Sequence, residues 1–204
     1  MSEDEQQNQG DNFSKTQLFV TIRLTKPDEI NTLLQLQTKS LRILTAKDYD
    51  RRQIEAIIER NYRLNQFRMG AITFVAEYEG KIIGFAILNR IFRIIDAVFV
   101  HPDFVRRSVG KQLMFAIEQE AIQRKIKSLL VLSSLTAINF YQALGYQILG
   151  ETTISHNKIK IPCVYMKKQF LPFTLIDRLY GWIIIVLSCA AIARFLYLVL
   201  SLSH

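Results

Sequence analysis

The stretch Val98-Phe99-Val100-His101-Pro102-Asp103-Phe104-Val105-Arg106-Arg107-Ser108-Val109-Gly110-Lys111 decides the fold. Ile94–Val100 reads as a β-branched strand stopped by Pro102, and Val109–Gln123 reads as a helix with Leu113, Met114 and Ile117 on one face. Between them lies a short basic loop. A strand delivering the chain to a helix N-terminus through Arg106, Arg107 and Lys111 makes an anion site. The first helical N–H groups have no intrahelical partner, and the helix dipole is positive there. Gly110 lets backbone approach a ligand closely. A basic loop can equally be a solvated surface, so the segment alone does not name a ligand.

Outward from this stretch, strands and helices are mixed. Leu18–Leu24 alternates as a strand. Pro27 and Asp28 open a helix with Ile30, Leu33, Leu34 and Leu36 as its apolar face, and a second helix runs from about Arg51 to Tyr62 with Ile54, Ile57 and Ile58 inward. Ile72–Tyr78 and Lys81–Asn89 flank a Glu79-Gly80 hairpin turn. Leu129–Ser133 is a buried strand. Ala137–Leu144 is a short helix that Gly145 ends as a left-handed cap. Gln147–Ile154 and Lys158–Met166 close a hairpin around Ser155-His156-Asn157, with His156 solvated at its tip. The order predicts an α/β sandwich of two or three layers around a mostly antiparallel sheet flanked by helices.

A second segment, Ala137-Ile138-Asn139-Phe140-Tyr141-Gln142-Ala143-Leu144-Gly145-Tyr146, follows the strand Leu129–Ser133. It resembles the A-x-x-F-Y-x-x-L-G-F segment of the GNAT family of acetyl-CoA-dependent N-acetyltransferases. The first segment resembles that family's V-x-P-x-x-(Q/R)-x-x-G-x-(G/A) signature through Val100, Pro102 and Gly110. Val105 stands where the family prefers Gln or Arg, and Ser108 where it prefers Gly. Ser134 stands where many members carry Asn. The resemblance covers about Phe19–Lys168. It implies a GNAT-like sheet and acetyl-CoA as co-substrate, bound through Val98, Val100, Arg106, Arg107, Ser108, Val109, Gly110, Lys111 and Asn139. Tyr141 inherits the role of protonating the departing thiolate, and the Ser108 hydroxyl can cap the helix or donate to a phosphate.

The acetyl acceptor is then a primary amine, on a small molecule or a protein. The amine needs a base, since an ammonium has no lone pair. Asp96 is the candidate: by strand alternation residues 96, 98 and 100 share a face. An aspartate is a weak base, so it would act through water or with a raised pKa. Asp96 can equally pair with Arg90 or Arg93, and Tyr141 can equally be core packing. Asp48, Tyr49 and Asp50 can line an amine pocket or form the turn and cap between two helices. An interaction module that has lost catalysis is the competing function.

Composition sets the remaining bounds. The chain has 204 residues, 50% hydrophobic and 22% charged, which excludes full-length disorder. Two cysteines and three scattered histidines leave no credible metal cluster. The net charge is +8; residues 1–15 hold four acids and one Lys, so the remainder carries +8 − (−3) = +11. That excess suits a phosphate-bearing ligand or an anionic membrane surface; nucleic acid rests on net charge alone and is not expected. Residues 1–15 read as a disordered polar tail without the pattern of a leader peptide. Residues 16–168 form the catalytic domain, and 169–180 a basic juxtamembrane linker.

Gly181–Leu202 carries one charge, Arg194, in 22 residues. As a helix it spans about 33 Å against about 30 Å of hydrocarbon, so it reads as a single C-terminal transmembrane helix rather than a core helix. Lys167, Lys168 and Arg178 place the domain on the cytoplasmic side. Arg194 beside the small residues Ser188, Cys189, Ala190, Ala191 and Ala193 suggests a homo-oligomer or a membrane partner.

Overall fold

The computed structural model describes residues 18–65 and 70–170. The tail 1–15, the linker beyond residue 170 and the segment 181–202 lie outside the described residues. Among the described residues no helix is long and apolar enough to cross a membrane.

The strands are β1 (Thr21–Leu24), β2 (Ala71–Tyr78), β3 (Lys81–Asn89), β4 (Ile94–Val100), β5 (Ser128–Ser134), β6 (Gln147–His156) and β7 (Ile159–Gln169). The helices are α1 (Ile30–Leu44), α2 (Arg51–Asn65), α3 (Val109–Gln123) and α4 (Ile138–Ala143). One seven-stranded sheet has the order β1-β2-β3-β4-β5-β7-β6. The pairs β1–β2, β2–β3, β3–β4 and β6–β7 are antiparallel, and β4–β5 is parallel.

Helices cover both faces, which settles the architecture as three layers. On one face Leu33 and Leu36 of α1 pack on Val75, Phe85, Ile87 and Ala97. Beside them Leu41, Tyr49, Ile54 and Ala56 pack on Ile161 of β7. On the other face α3 lies on β3, where a Cβ built at Gly84 would meet Leu113 at 3.1 Å and Val109 at 3.3 Å. Because β3 is covered on both sides, Ile83–Asn89 is buried without alternation.

Several expectations need correction. Ile30 is 53% exposed, and α1 turns Gln37 and Ser40 inward instead. The last hairpin turns on Asn157-Lys158, whose φ values are +48° and +65°. Both central residues are left-handed, as a two-residue turn matched to strand twist requires. β6 therefore runs through His156, whose ring sits 3.4 Å from Glu59 of α2 rather than at a solvated tip. Glu79-Gly80, at +50° and +73°, is the two-residue turn expected.

Candidate active site

β4 and β5 pair only at Ile94↔Leu130 and Ile95↔Val131. Beyond those pairs β4 runs on to Val100 and β5 to Ser134. The two strands part toward the end where β4 meets the basic loop. An opened parallel pair leaves backbone N–H and C=O groups of β4 without a ladder partner on that side, a ready strip for an extended amide chain.

The loop after β4 is held by conformation that glycine would adopt more readily. Arg106 has φ +60° and Ser108 has φ +64° with ψ 8°. Left-handed backbone at a residue with a Cβ costs about 1–2 kcal/mol, so surrounding contacts must hold it. Leu18 supplies two. Its N–H donates to the Arg107 carbonyl at 3.2 Å, and its carbonyl accepts from Gln112 Nε2 at 2.6 Å. Among the described residues the Ser108 hydroxyl makes no capping hydrogen bond, so of its two expected roles the helix cap is not the one seen. Arg106, Arg107 and Lys111 are exposed, with the Arg107 guanidinium 5.7 Å above the Phe104 ring.

Val109 is 1% exposed and its side chain belongs to the core, so only its backbone N–H is available to a ligand. Gly110 has a packing role that the sequence did not show. A Cβ there would lie 3.3 Å from two ring carbons of Phe140 and 3.6 Å from Val100. The glycine lets α3 meet α4, and so brings the two sequence motifs into contact. Asn139 is exposed in the first turn of α4.

Tyr141 is 5% exposed, edge-on to Phe140 at 5.2 Å and to Tyr146 at 5.5 Å. Burial pushes its phenol well above the ordinary value, so the hydroxyl keeps its proton. Tyr146 is pushed up further, first by burial and then by the Glu118 carboxylate, and its hydroxyl finds no hydrogen-bond partner of acceptable geometry. Glu118 is committed to Lys168, with Nζ 2.7 and 2.8 Å from its two oxygens. That ion pair ties α3 to the end of β7.

The β3–β4 register runs Leu88↔Ile95 and then Ile87↔Ala97, so β4 advances two residues where β3 advances one, a bulge centred on Asp96. Alternation does not carry through a bulge, so Asp96 cannot be assigned to the Val98 and Val100 face by parity. It is exposed. The turn between α1 and α2 follows the capping reading: Asp50 Oδ1 accepts from the Gln53 N–H at 2.8 Å while Gln53 Oε1 accepts from the Asp50 N–H at 3.0 Å. Asp48 Oδ2 accepts from Thr136 Oγ1 at 2.6 Å, beside the end of β5. The Tyr49 hydroxyl accepts from the Leu135 N–H at 2.9 Å and donates to the Pro162 carbonyl at 2.8 Å.

Among the described residues no group of three or more His, Cys, Asp or Glu side chains could hold a metal. Sequence reasoning missed Leu18, Gln112 and Phe140 as supports of the loop. Phe140 stands inside a recognised motif, but its partner Gly110 is thirty residues away and nothing local joins them.

Known proteins share this fold. Residues 70–148 match the family model described as the acetyltransferase (GNAT) domain. The peptidyl-lysine N-acetyltransferase YiaC of Escherichia coli (strain K12) is 37% identical over 78 residues, 38% of this chain. The match spans about half, 51%, of that relative's length. The crystal structure of a GCN5-related N-acetyltransferase from Rhodopseudomonas palustris superposes with a TM-score of 0.69 at 30% identity. It covers 76% of this chain and 98% of that one. The PaiA N-acetyltransferase of Thermoplasma acidophilum, solved with coenzyme A, shares the fold at 18% identity and a TM-score of 0.62, covering 75% of this chain and all of that one. With strands parted at the basic loop and a buried tyrosine on the helix that α3 touches, the chain belongs to the GCN5-related N-acetyltransferase (GNAT) family of acetyl-CoA-dependent acyltransferases.

Proposed function

We propose that this protein moves an acetyl group from acetyl-CoA to a protein lysine amine, from a domain held at a membrane. The observation that carries the transfer is the parting of β4 and β5 toward a loop whose N–H groups and cations suit a diphosphate. The lysine acceptor is supported by the likeness to a peptidyl-lysine N-acetyltransferase.

Each residue then has a task. The N–H groups of Val109, Gly110 and Lys111 at the start of α3, with Ser108 and the Arg106, Arg107 and Lys111 side chains, hold the diphosphate. Val98 and Val100 offer backbone groups on the open side of β4, and a β4 N–H stabilises the oxyanion that develops at the carbonyl. Asn139 adds a polar contact from α4. Asp96, through water, takes the proton from the ammonium. The freed amine bonds to the acetyl carbon, the carbon–sulfur bond breaks, Tyr141 gives its proton to the departing thiolate, and the proton that the new amide nitrogen sheds restores the phenol through water. The raised pKa of Tyr141 suits this donor role, because the phenol enters the step protonated.

The membrane attachment is supported by the composition of 181–202, with Arg178, Lys167 and Lys168 on its N-terminal side and Tyr180 and Trp182 at interface positions. The domain faces the cytoplasm, where acetyl-CoA is available. Arg194 meets a partner helix or a polar contact, with a second copy of this chain as one candidate.

Turnover of acetyl-CoA by the full chain, measured against lysine peptides and a panel of small amines, tests the activity. Acetylated lysine found by mass spectrometry is the expected product. Turnover only with small amines would overturn the acceptor class, and acetyl-CoA binding without turnover would leave an interaction module. Alkaline carbonate extraction tests the attachment: release of the full chain into the supernatant would overturn it.

A further inference from the structure

We propose that the end of the sheet opposite the cofactor loop is a docking surface for an anionic membrane, formed by the β3–β4 turn and the α3–β5 loop. The proposal rests on reading 181–202 as a membrane anchor, and adds a second, independent contact made by the folded domain.

The β3–β4 turn is Arg90-Ile91-Phe92-Arg93. Ile91 is 61% exposed and Phe92 66%, two large apolar side chains standing together at a turn tip. Arg93 is exposed and left-handed, at φ +57°. The neighbouring α3–β5 loop adds Arg124, Lys125 and Lys127, all exposed. The two loops are joined: the Leu130 N–H of β5 donates to the Arg93 carbonyl at 3.0 Å, and Arg90 and Arg124 both reach Glu120. Glu120 is matched by those two arginines, which leaves Arg93, Lys125 and Lys127 as excess positive charge around the apolar tip.

The chain leaves the domain at this same end. The Tyr49 hydroxyl joins Pro162, near the start of β7, to Leu135, just beyond the end of β5. β7 is the neighbour of β5 and runs away from that point; Gln169 is 169 − 162 = 7 residues beyond Pro162, as Ser128 is 135 − 128 = 7 residues before Leu135, which brings the end of β7 to the start of β5. The start of β5 is where the α3–β5 loop and Arg93 lie. Ile148 and Leu149, 48% and 59% exposed, stand at the start of β6 beside the last residues of β7, with Ile148 paired to Met166. Residues 171–204 follow from here, including the apolar run 181–202. Exit point, exposed apolar tip and cationic rim therefore fall on one end of one sheet.

An apolar tip ringed by Lys and Arg matches the two layers of a bilayer surface. Phenyl and aliphatic groups enter the acyl boundary, while long cationic side chains reach anionic headgroups. Each Lys or Arg near such a surface adds to the attraction, which fades within about 10 Å at ordinary salt. The cofactor loop sits at the far end of β4, about 23 Å away for a seven-residue strand. Docked this way, the domain opens its acetyl-CoA cleft toward water.

The test uses the full chain carrying Cys163→Ala and Cys189→Ala, reconstituted in phosphatidylcholine vesicles with or without phosphatidylserine. An environment-sensitive NBD probe is placed at Phe92→Cys or, at the other end of the sheet, at Lys81→Cys. In phosphatidylserine vesicles the probe at 92 is expected to blue-shift and to be quenched by brominated acyl chains, while the probe at 81 does neither. Arg93→Glu, Lys125→Glu and Lys127→Glu together are expected to abolish the signal at 92 with the chain still retained after carbonate washing. A retained chain whose probe at 92 is as wet as that at 81 overturns the docking surface and leaves the anchor standing. A chain washed out by carbonate that is still quenched at 92 before washing overturns the anchor and leaves the docking surface standing. Equal quenching without phosphatidylserine overturns the anionic preference, and loss of the signal on adding RNA assigns the cations to nucleic acid instead.

Discussion

Gly110 of α3 lies against the ring of Phe140 in α4, so close that a Cβ on Gly110 would sit 3.3 Å from two of the ring's carbons. The contact couples the basic loop before α3 to the helix carrying Tyr141. Gly110→Ala is expected to be tolerated. The ring needs to give by only a few tenths of an ångström, and Ala gains about 1 kcal/mol over Gly in helix propensity. Gly110→Val is expected to cost about 1–3 kcal/mol, as overpacking does, and to raise the KM for acetyl-CoA as the loop is pushed aside. Thermal melts and initial rates read both. A Val variant with the parent Tm and KM would mean that the two motifs are not coupled here.

Tyr141→Phe keeps the ring and its edge contacts and removes only the hydroxyl. Turnover is expected to fall by about 10²–10⁴-fold with little change in acetyl-CoA affinity. Since burial raises the Tyr141 pKa, its donor form persists to higher pH than an ordinary phenol near 10 would allow. The rate profile of the parent enzyme should therefore show no loss from this group below that pH. Parent-level turnover in the Phe variant, where chemistry limits the rate, would remove Tyr141 from the reaction.

Tyr49→Phe leaves the Leu135 N–H and the Pro162 carbonyl without the hydroxyl that joins them. Each orphaned group costs about 1–3 kcal/mol if water cannot reach it. Urea denaturation is expected to show a stability loss in that range. A further sign is faster amide exchange at Leu135, because its donor has lost its acceptor. Unchanged exchange there would show that the hydroxyl is not the acceptor that protects it.

Glu29 bridges to Arg23, with Arg23 Nη2 2.6 Å from Oε1 and Nη1 2.9 Å from Oε2, while Arg23 Nε reaches Glu77 at 2.8 Å. The Arg23 hydrogen bonds, helped by the Lys26 N–H, lower the Glu29 pKa from 4.5 to about 2. A depressed carboxylate contributes stability that is present above its unfolded pKa and is lost as pH falls through the folded one. The contribution is thus full above about pH 4.5 and gone near pH 2. Glu29→Gln should lower the Tm at pH 7 and flatten its fall between those limits. A variant with the parent's acid profile would show that this pair does not govern it.

The element order and both motifs were legible in the sequence, because each rests on local physics. Period-two and period-3.6 apolar patterns mark strands and helices, Pro102 stops β4, and Gly145, at φ +87°, ends α4. The strand-to-helix join at Val100–Gly110 and the Phe140-Tyr141 pair needed no long-range contact to be found. What only the tertiary structure decided depends on partners distant in sequence. The bulge at Asp96 arises from pairing with β3 and breaks an alternation that the strand alone would have kept. His156 extends β6 because its hairpin turns one residue later and its ring meets α2. Gly110 is small for the sake of Phe140. Tyr49, a loop residue between two helices, joins groups 86 and 113 residues further along. Local patterns record which face of an element is apolar, whereas the position of a side chain relative to its partners is set when the sheet pairs and the layers close.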